Sequence, residues 1–352
     1  MRPAILLTAM IGFVASSQAQ YANLDINNIR ARINADGTLF NDYGWLNGSS
    51  YQMGFEAPKN SGKHPVFAGS MWIGGVDGGG NLRLSGQTYK QSGSDFWPGP
   101  LDTMNLAIDS LTSLSWNKVW KINRSTIDSC KAGSFGSSLP QNILTWPGSG
   151  TSNNNAKSLA PYNDKNSNGV YEPLSGECPC IKGDQAVYFI FNDVKNHTES
   201  GGTAIGLEIH GMAYAFDMPF NMPINNSIFV NYQIINRSAI TLDSVYLGNW
   251  TGFDIGGAVD DYVGSDVMRG AYFGYNGDSS DGDFQGALGY HDTLGAAAVV
   301  FLQGPYADIG GTSDVPNSVL NSASASGIGY GDGIAGNERS GMSKFVYYKN
   351  NF

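Results

Sequence analysis

The sequence predicts an all-β protein: an antiparallel β-sandwich, one or two of them, with long Gly/Asn/Ser-rich loops and little helix. Three observations predict this class. Short runs of apolar, β-branched and aromatic residues recur along the chain, and Gly, Asn and Asp turn pairs separate them. Glycine supplies 47 of the 352 residues, roughly double its usual share, without the three-residue period of collagen. Only 14% of residues are charged while 12% are aromatic, so the chain has enough apolar surface to fold rather than stay disordered.

The elements follow in order. Residues 1–19 read as a secretory signal peptide. Arg2 gives a positive start, 4–14 are mostly apolar, and Ser17-Gln18-Ala19 fits the small-x-small cleavage pattern, leaving Gln20 first. That apolar run is too short to cross a hydrocarbon core, which needs about 20 residues. Residues 20–132 form an N-terminal β-rich region. In it, 29–33 alternate apolar and basic before the turn pair Asp36-Gly37. A hairpin is expected from 66–73 to 82–89 across the glycine-rich stretch 74–80, then a strand at 118–122 and a helix at 125–131 capped by Ser125. Residues 133–183 are polar and read as a long surface excursion. Residues 184–352 read as a sandwich-like domain, with strands at 186–192, 204–216, 227–236, 242–250 and 294–302. The turn Asn236-Arg237-Ser238 predicts a second hairpin, and 252–286 read as Gly/Asp-rich loop.

Charge and composition exclude several functions. Twenty basic residues against 30 acidic give a net charge of −10, the wrong sign for a duplex-binding surface, so nucleic acid is not an expected partner. Four His and three Cys leave little for a zinc or iron–sulfur site. The zinc-protease His pair, the nucleophile elbow and the phosphate-binding Gly/Lys loop are all missing. Gly74-Gly75 and Gly78-Gly79-Gly80 lack the lysine and following helix of a phosphate cradle, so they read as a turn. His210 sits in an apolar strand and reads as a hydrogen-bonded core residue. No catalytic residues are assigned.

The sharpest motif lies at 164–172. Asp164, Asn166, Asn168 and Glu172 put oxygen side chains at loop positions 1, 3, 5 and 9, with Gly169 at position 6 and the Val170 carbonyl at position 7. This is the first nine positions of a calcium loop, in which alternate residues of a tight turn converge oxygens on a hard cation. Position 12 is Ser175 rather than Glu, so Glu177 or Asp184 would close the shell. Calcium is therefore the expected cofactor. A looser acidic group comprises Asp254, Asp260, Asp261 and Asp266, with Asp278, Asp281 and Asp283 beyond; as metal ligands these too would suit calcium, though solvated loops are their commoner use. Export permits oxidation, and a bridge within Cys178-Pro179-Cys180 would be strained, so Cys130 is expected to pair with Cys178 or Cys180. Trp72, Trp97 and Trp250 are candidates for a sugar-stacking platform.

Several segments carry a resemblance: 28–37, 67–75 with Met71-Trp72-Ile73, Gln87-Thr88-Tyr89, 95–103 with Phe96-Trp97-Pro98-Gly99-Pro100, the loop at 164–172, Gly183-Asp184-Gln185, and Asp260-Asp261-Tyr262-Val263-Gly264. Together they resemble the large secreted cargo proteins of the type IX secretion system of Bacteroidota. The resemblance implies a surface-attached or released protein and offers no catalytic residues; cell-surface or matrix components, glycans among them, are the expected partners. Such cargo ends in a sorting domain. Residues 344–348 read as a strand entering a sheet, so this chain is expected to be part of a longer protein. The function expected is a calcium-stabilised structural or adhesive protein of the cell exterior, with a polysaccharide-binding module or glycoside hydrolase component as the alternative.

Overall fold

A computed structural model describes residues 20–42, 54–136, 138–150, 155–307, 312–316 and 327–348. The signal-peptide reading at 1–19 lies outside them, as do the last residues, 349–352. The protein is mostly β, 33% strand against 9% helix, and its sheets are antiparallel, as expected.

Strands β1 (Tyr21–Leu24), β2 (Arg30–Asn34) and β3 (Phe55–Glu56) form one small sheet. The alternation in β2 turns Ala31 and Ile33 inward and Arg30 and Arg32 outward; Arg30 pairs with Glu56 of β3 at 2.8 Å. The glycine-rich hairpin joins β4 (Val66–Asp77) to β5 (Leu82–Gly86). Here β4 runs past Ile73 to Asp77, so the turn is shorter than expected. Asp77 Oδ1 accepts the Gly79 and Asn81 N–H groups at 2.9 and 3.0 Å, which pins the turn. Leu39 and Gly69 bridge β4 to the first sheet.

The central sheet is built on β8 (Gln185–Asn192) and β9 (Leu207–Ala215). Strands β6 (Trp97–Pro98) and β7 (Trp120–Asn123) pair with β8 on its other side, and β10 (Phe229–Asn236) pairs with β9. Residues 186–191 form an unbroken apolar run, the pattern of a strand buried on both faces. Every residue of β8 is buried. Its odd positions, Val187, Phe189 and Phe191, enter one core with Ile33, Met71, Ile73, Leu207 and Ile209. Its even positions, Ala186, Tyr188 and Ile190, enter a second core.

That second core corrects the surface-excursion reading of 133–183. Helix α3 (Gln141–Leu144) lies within this segment, and α1 (Ser110–Ser115) and α2 (Arg124–Lys131) precede it. Ile127, Cys130, Ile143, Trp146 and Leu159 are all buried against the even face of β8. The segment is polar overall because a few large apolar side chains suffice to cover one strand face. α2 starts at Arg124, and its N-cap is Asn123 rather than Ser125, with no side-chain cap bond.

A short helix α4 (Met222–Asn225) precedes β10. The expected second hairpin does not form. β11 (Leu242–Phe253) pairs with β4 instead of β10, so Asn236-Arg237-Ser238 carries the chain from one sheet to another. Two further strands, β12 (Asp261–Asp266) and β13 (Ala271–Asn276), stand in the stretch read as loop and form a sheet with β14 (Ala296–Val300). Residues 344–348 carry no strand. Among the described residues no helix is long and apolar enough to cross a membrane.

Candidate functional site

The loop at 164–172 closes on itself. Asp164 accepts the Asn168 and Gly169 N–H groups, at 3.2 Å on Oδ1 and 2.8 Å on Oδ2. Asn168 Oδ1 accepts the Val170 N–H at 2.7 Å. Ser167 and Gly169 both take the left-handed conformation, φ 58° and 74°, which lets alternate side chains face one point. The amides of Asn166 and Asn168 each donate to Glu172 Oε2 at 2.8 Å. Four of the expected side chains, Asp164, Asn166, Asn168 and Glu172, are therefore brought together, with Val170 at the turn.

The two candidates for closing the shell separate. Glu177 is fully buried and braces the loop from below: its Oε1 accepts the Lys165 N–H at 3.0 Å and its Oε2 the Glu172 N–H at 2.8 Å. Asp184 does not join the loop. It sits at the entry to β8, where its Oδ2 accepts the Asp217 N–H at 3.0 Å. The reason is geometric: Asp184 already belongs to the central sheet, its own N–H donating to Ala215. Burial, then the charges of Asp164, Glu177 and Glu172, raise the Tyr162 phenol above its ordinary range. Among the described residues no three His, Cys, Asp or Glu side chains cluster closely enough to hold a metal ion by themselves.

The loop is anchored at both flanks. Cys130 of α2 is bridged to Cys178, just past the loop, and Cys180 is left as a free thiol. Tyr171 within the loop donates its hydroxyl to the Ile143 carbonyl at 2.9 Å, and its N–H goes to Ser149 Oγ at 3.1 Å. Beside it lies a pocket of about 310 Å³, walled by Trp116, Trp120, Trp146 and Tyr171. The sequence reading missed this pocket, because its tryptophans stand on three separate segments and only the fold gathers them.

The second acidic group acts on the main chain. Asp281 is buried and accepts the Gly257 and Tyr290 N–H groups at 2.7 and 2.6 Å. Asp261 Oδ2 takes the Ile255 N–H at 2.7 Å, Asp266 caps the turn at Arg269, and Asp278 and Asp283 take the Ser280 and Gly289 N–H groups. Burial, reinforced by Asp254, Asp260 and Asp281, pushes the Asp261 carboxyl up to about 7. Burial alone pushes Asp254 up to about 6.

The remaining candidates are structural in their contacts. His210 is buried with Nε2 2.8 Å from Glu208 Oε1. Burial alone would raise the Glu208 carboxyl; hydrogen bonds from His210, Arg237 and the Leu101 N–H outweigh it and hold the group below its ordinary range. The three tryptophans considered for a platform have separate surroundings. Trp72 donates to the Gln87 carbonyl at 2.7 Å, Trp97 stacks on His197, and Trp250 packs near Tyr89. No protein-family description, curated protein or solved structure matches this chain.

Proposed function

We propose that this is a secreted or outer-surface β-protein with a structural or adhesive role, stabilised by one calcium ion in the loop at 164–172. The observation that supports it is the convergence of the Asn166 and Asn168 amides on one oxygen of Glu172, at the mouth of a turn closed by Asp164. Each of these side chains also carries an oxygen, the ligand a hard cation requires; binding would turn the Asn166 and Asn168 oxygens inward from the Asn168 and Val170 N–H groups they now accept. Asp164 and Glu172 would supply the charge, Asn166, Asn168 and the Val170 carbonyl the neutral oxygens. Glu177 holds the loop backbone in place. No residue is assigned a catalytic role. The exterior location and the kinship with type IX cargo rest on the N-terminal pattern and the segments quoted above. Cell-surface or matrix components, glycans among them, are the partners this reading implies.

Thermal melting tests it. A cation that binds only the folded state raises stability by mass action, about 2.7 kcal/mol at a hundredfold excess over its Kd. Calcium should raise the Tm, chelator should lower it, and Asp164→Ala should melt at the chelated value in either condition. An unchanged Tm together with no calcium heat by calorimetry would falsify the proposal.

A further inference from the structure

We propose that the outer face of the β12–β13–β14 sheet binds a cationic amino-sugar polysaccharide, its sugar rings stacked along Tyr262, Tyr275 and Phe273. This rests on the reading of an exterior protein that meets glycans, and it is independent of any cation in the loop. The sheet has two unlike faces. Tyr272, Gly274 and Asn276 turn inward and are buried, and the Tyr272 ring lies among those of Phe253, Phe301 and Phe345. The alternate residues turn outward. Tyr262 stands opposite Tyr275, 59% and 42% exposed, and Phe273 stands two residues earlier on the same strand. The three rings form a row with 6.1 Å between neighbouring centroids, and Tyr262 and Tyr275 lie within 25° of parallel. Glycine leaves room for the rings to lie down on the sheet. A Cβ at Gly264 would stand 2.8 Å from the Phe273 ring, and one at Gly277 would stand 2.2 Å from that of Tyr262. A ring laid over a cross-strand glycine shields the backbone with one face and turns the other to solvent. On the far side, Ala296 and Ala298 stand opposite Tyr275 and Phe273, so nothing taller than a methyl rises beside them.

Shape and charge together select the ligand. Contiguous exposed apolar surface marks a binding face. The negative face of an aromatic ring attracts the C–H groups along one side of a sugar ring, and attracts a cation more strongly. The outward positions hold one branched aliphatic residue, Val300, and no groove for a helix or a lone small molecule to enter. A flat row suits an extended polymer. Residues 254–300, which contain all three strands, carry eight Asp against one Arg and no Lys. That one base, Arg269, is engaged by Asp266. Asp260 and Asp278 sit at the Tyr262 end of the row, the first with its carbonyl against Gly277 and the second next to Gly277 in the chain. Such a field repels uronates and anionic membranes and draws cations. An amino sugar presents both a C–H face for the rings and an ammonium for the carboxylates.

The test is calorimetric titration of the full chain with a glucosamine hexamer at about pH 6, where amines are protonated. The N-acetylated hexamer, a glucose hexamer and hexalysine are the comparisons, and each series is run in calcium and in chelator. The expected result is saturable binding of the glucosamine hexamer that weakens with salt, with both uncharged hexamers at least tenfold weaker. Tyr275→Ser leaves the rings over Gly264 and Gly277 in place and should weaken binding tenfold or more. Melting of Tyr275→Ser at the wild-type temperature establishes that it is folded; should it melt lower, Tyr262→Ser is read in its place. Absence of saturable binding, equal affinity for an uncharged hexamer, hexalysine binding as tight as that of the glucosamine hexamer, or an unchanged affinity in the folded variant overturns the proposal. Glycan binding that fails while calcium still raises the Tm overturns the platform alone. Glycan binding that is the same in calcium and chelator upholds the platform and leaves the loop to its own melting test.

Discussion

Asp261 stands at the start of β12 with one oxygen on the Ile255 N–H and the other buried without a partner. Its carboxyl titrates near 7 when folded, against about 3.9 in an unfolded chain. The folded state therefore holds a proton that the unfolded state has lost. The stability this contributes is complete below about pH 4 and is lost as pH rises through 7. Asp261→Asn, neutral at every pH, should melt above wild type at pH 8 and level with it at pH 4, read by differential scanning fluorimetry across that range. A variant whose Tm tracks wild type throughout would contradict this account. Gly211 presents a different constraint. A Cβ there would lie 2.2 Å from the Phe189 ring, which covers it across the β8–β9 pair. Gly211→Ala should destabilise by about 1–3 kcal/mol, the range for an overpacked core, measured by urea unfolding. Neither effect was legible in the sequence, where Asp261 was one of several clustered acids and Gly211 an unremarked glycine in a strand. Burial and cross-strand neighbours exist only after folding.

At the scale of elements, local chemistry was the better guide. The apolar run at 186–191 identified β8, and the oxygen spacing at 164–172 identified a turn whose side chains do converge. The turn Asn236-Arg237-Ser238 was also real, since Asn236 Oδ1 accepts the Ser238 N–H at 2.9 Å. A turn states only that the chain reverses, and the partner strand is chosen by long-range packing. β10 joins β9 and β11 joins β4, so the predicted hairpin was lost to the core between the sheets. β12 escaped because Tyr262 and Val263 are exposed, and β13 because its inward positions are Tyr272, Gly274 and Asn276, so neither shows a hydrophobic alternation. The pairing of the three cysteines was undecided between Cys178 and Cys180. The bridge from α2 reaches Cys178, which is buried in the second core with Cys130, while Cys180 stays partly exposed. Closing 48 residues of sequence should contribute roughly 4 kcal/mol by loop entropy. Cys130→Ser with Cys178→Ser should lower unfolding stability by about that amount, and non-reducing peptide mapping should find Cys180 alone alkylated. Three alkylatable thiols in the native protein would refute the bridge.

Across the whole molecule, burial falls off from the centre. β8 is covered on both faces and β9 nearly so, whereas β14 alternates exposed and half-buried residues and β12 divides evenly between the two. Local opening follows such gradients. Amide exchange should be slowest at Val187–Phe191 and Ile209–Ala213, and orders of magnitude faster in β12 and β14. Uniform protection across these strands would refute that ordering. The composition made the β class legible because few charges and many aromatics leave little else to build from. The division into two cores was not legible. It depends on a polar-looking stretch contributing Ile143, Trp146 and Leu159 to a face it does not adjoin in sequence.

The pairing of β4 with β11 sets how the molecule yields to pulling. Val66, the first residue of β4, lies opposite Phe253, the last of β11. Tension entering before Val66 and leaving after Phe253 acts on the same end of the pair, so it peels the ladder one bond at a time instead of shearing all of them together. The pair should part at low force in a tweezers experiment. The bridge between Cys130 and Cys178 lies inside the freed segment and withholds the chain between them, a sequence separation of 48. Reduction should lengthen the released contour by about 160 Å, at roughly 3.4 Å per residue. A protein fixed at one end to a surface would thus give way early under load, and the disulfide would set how far it extends.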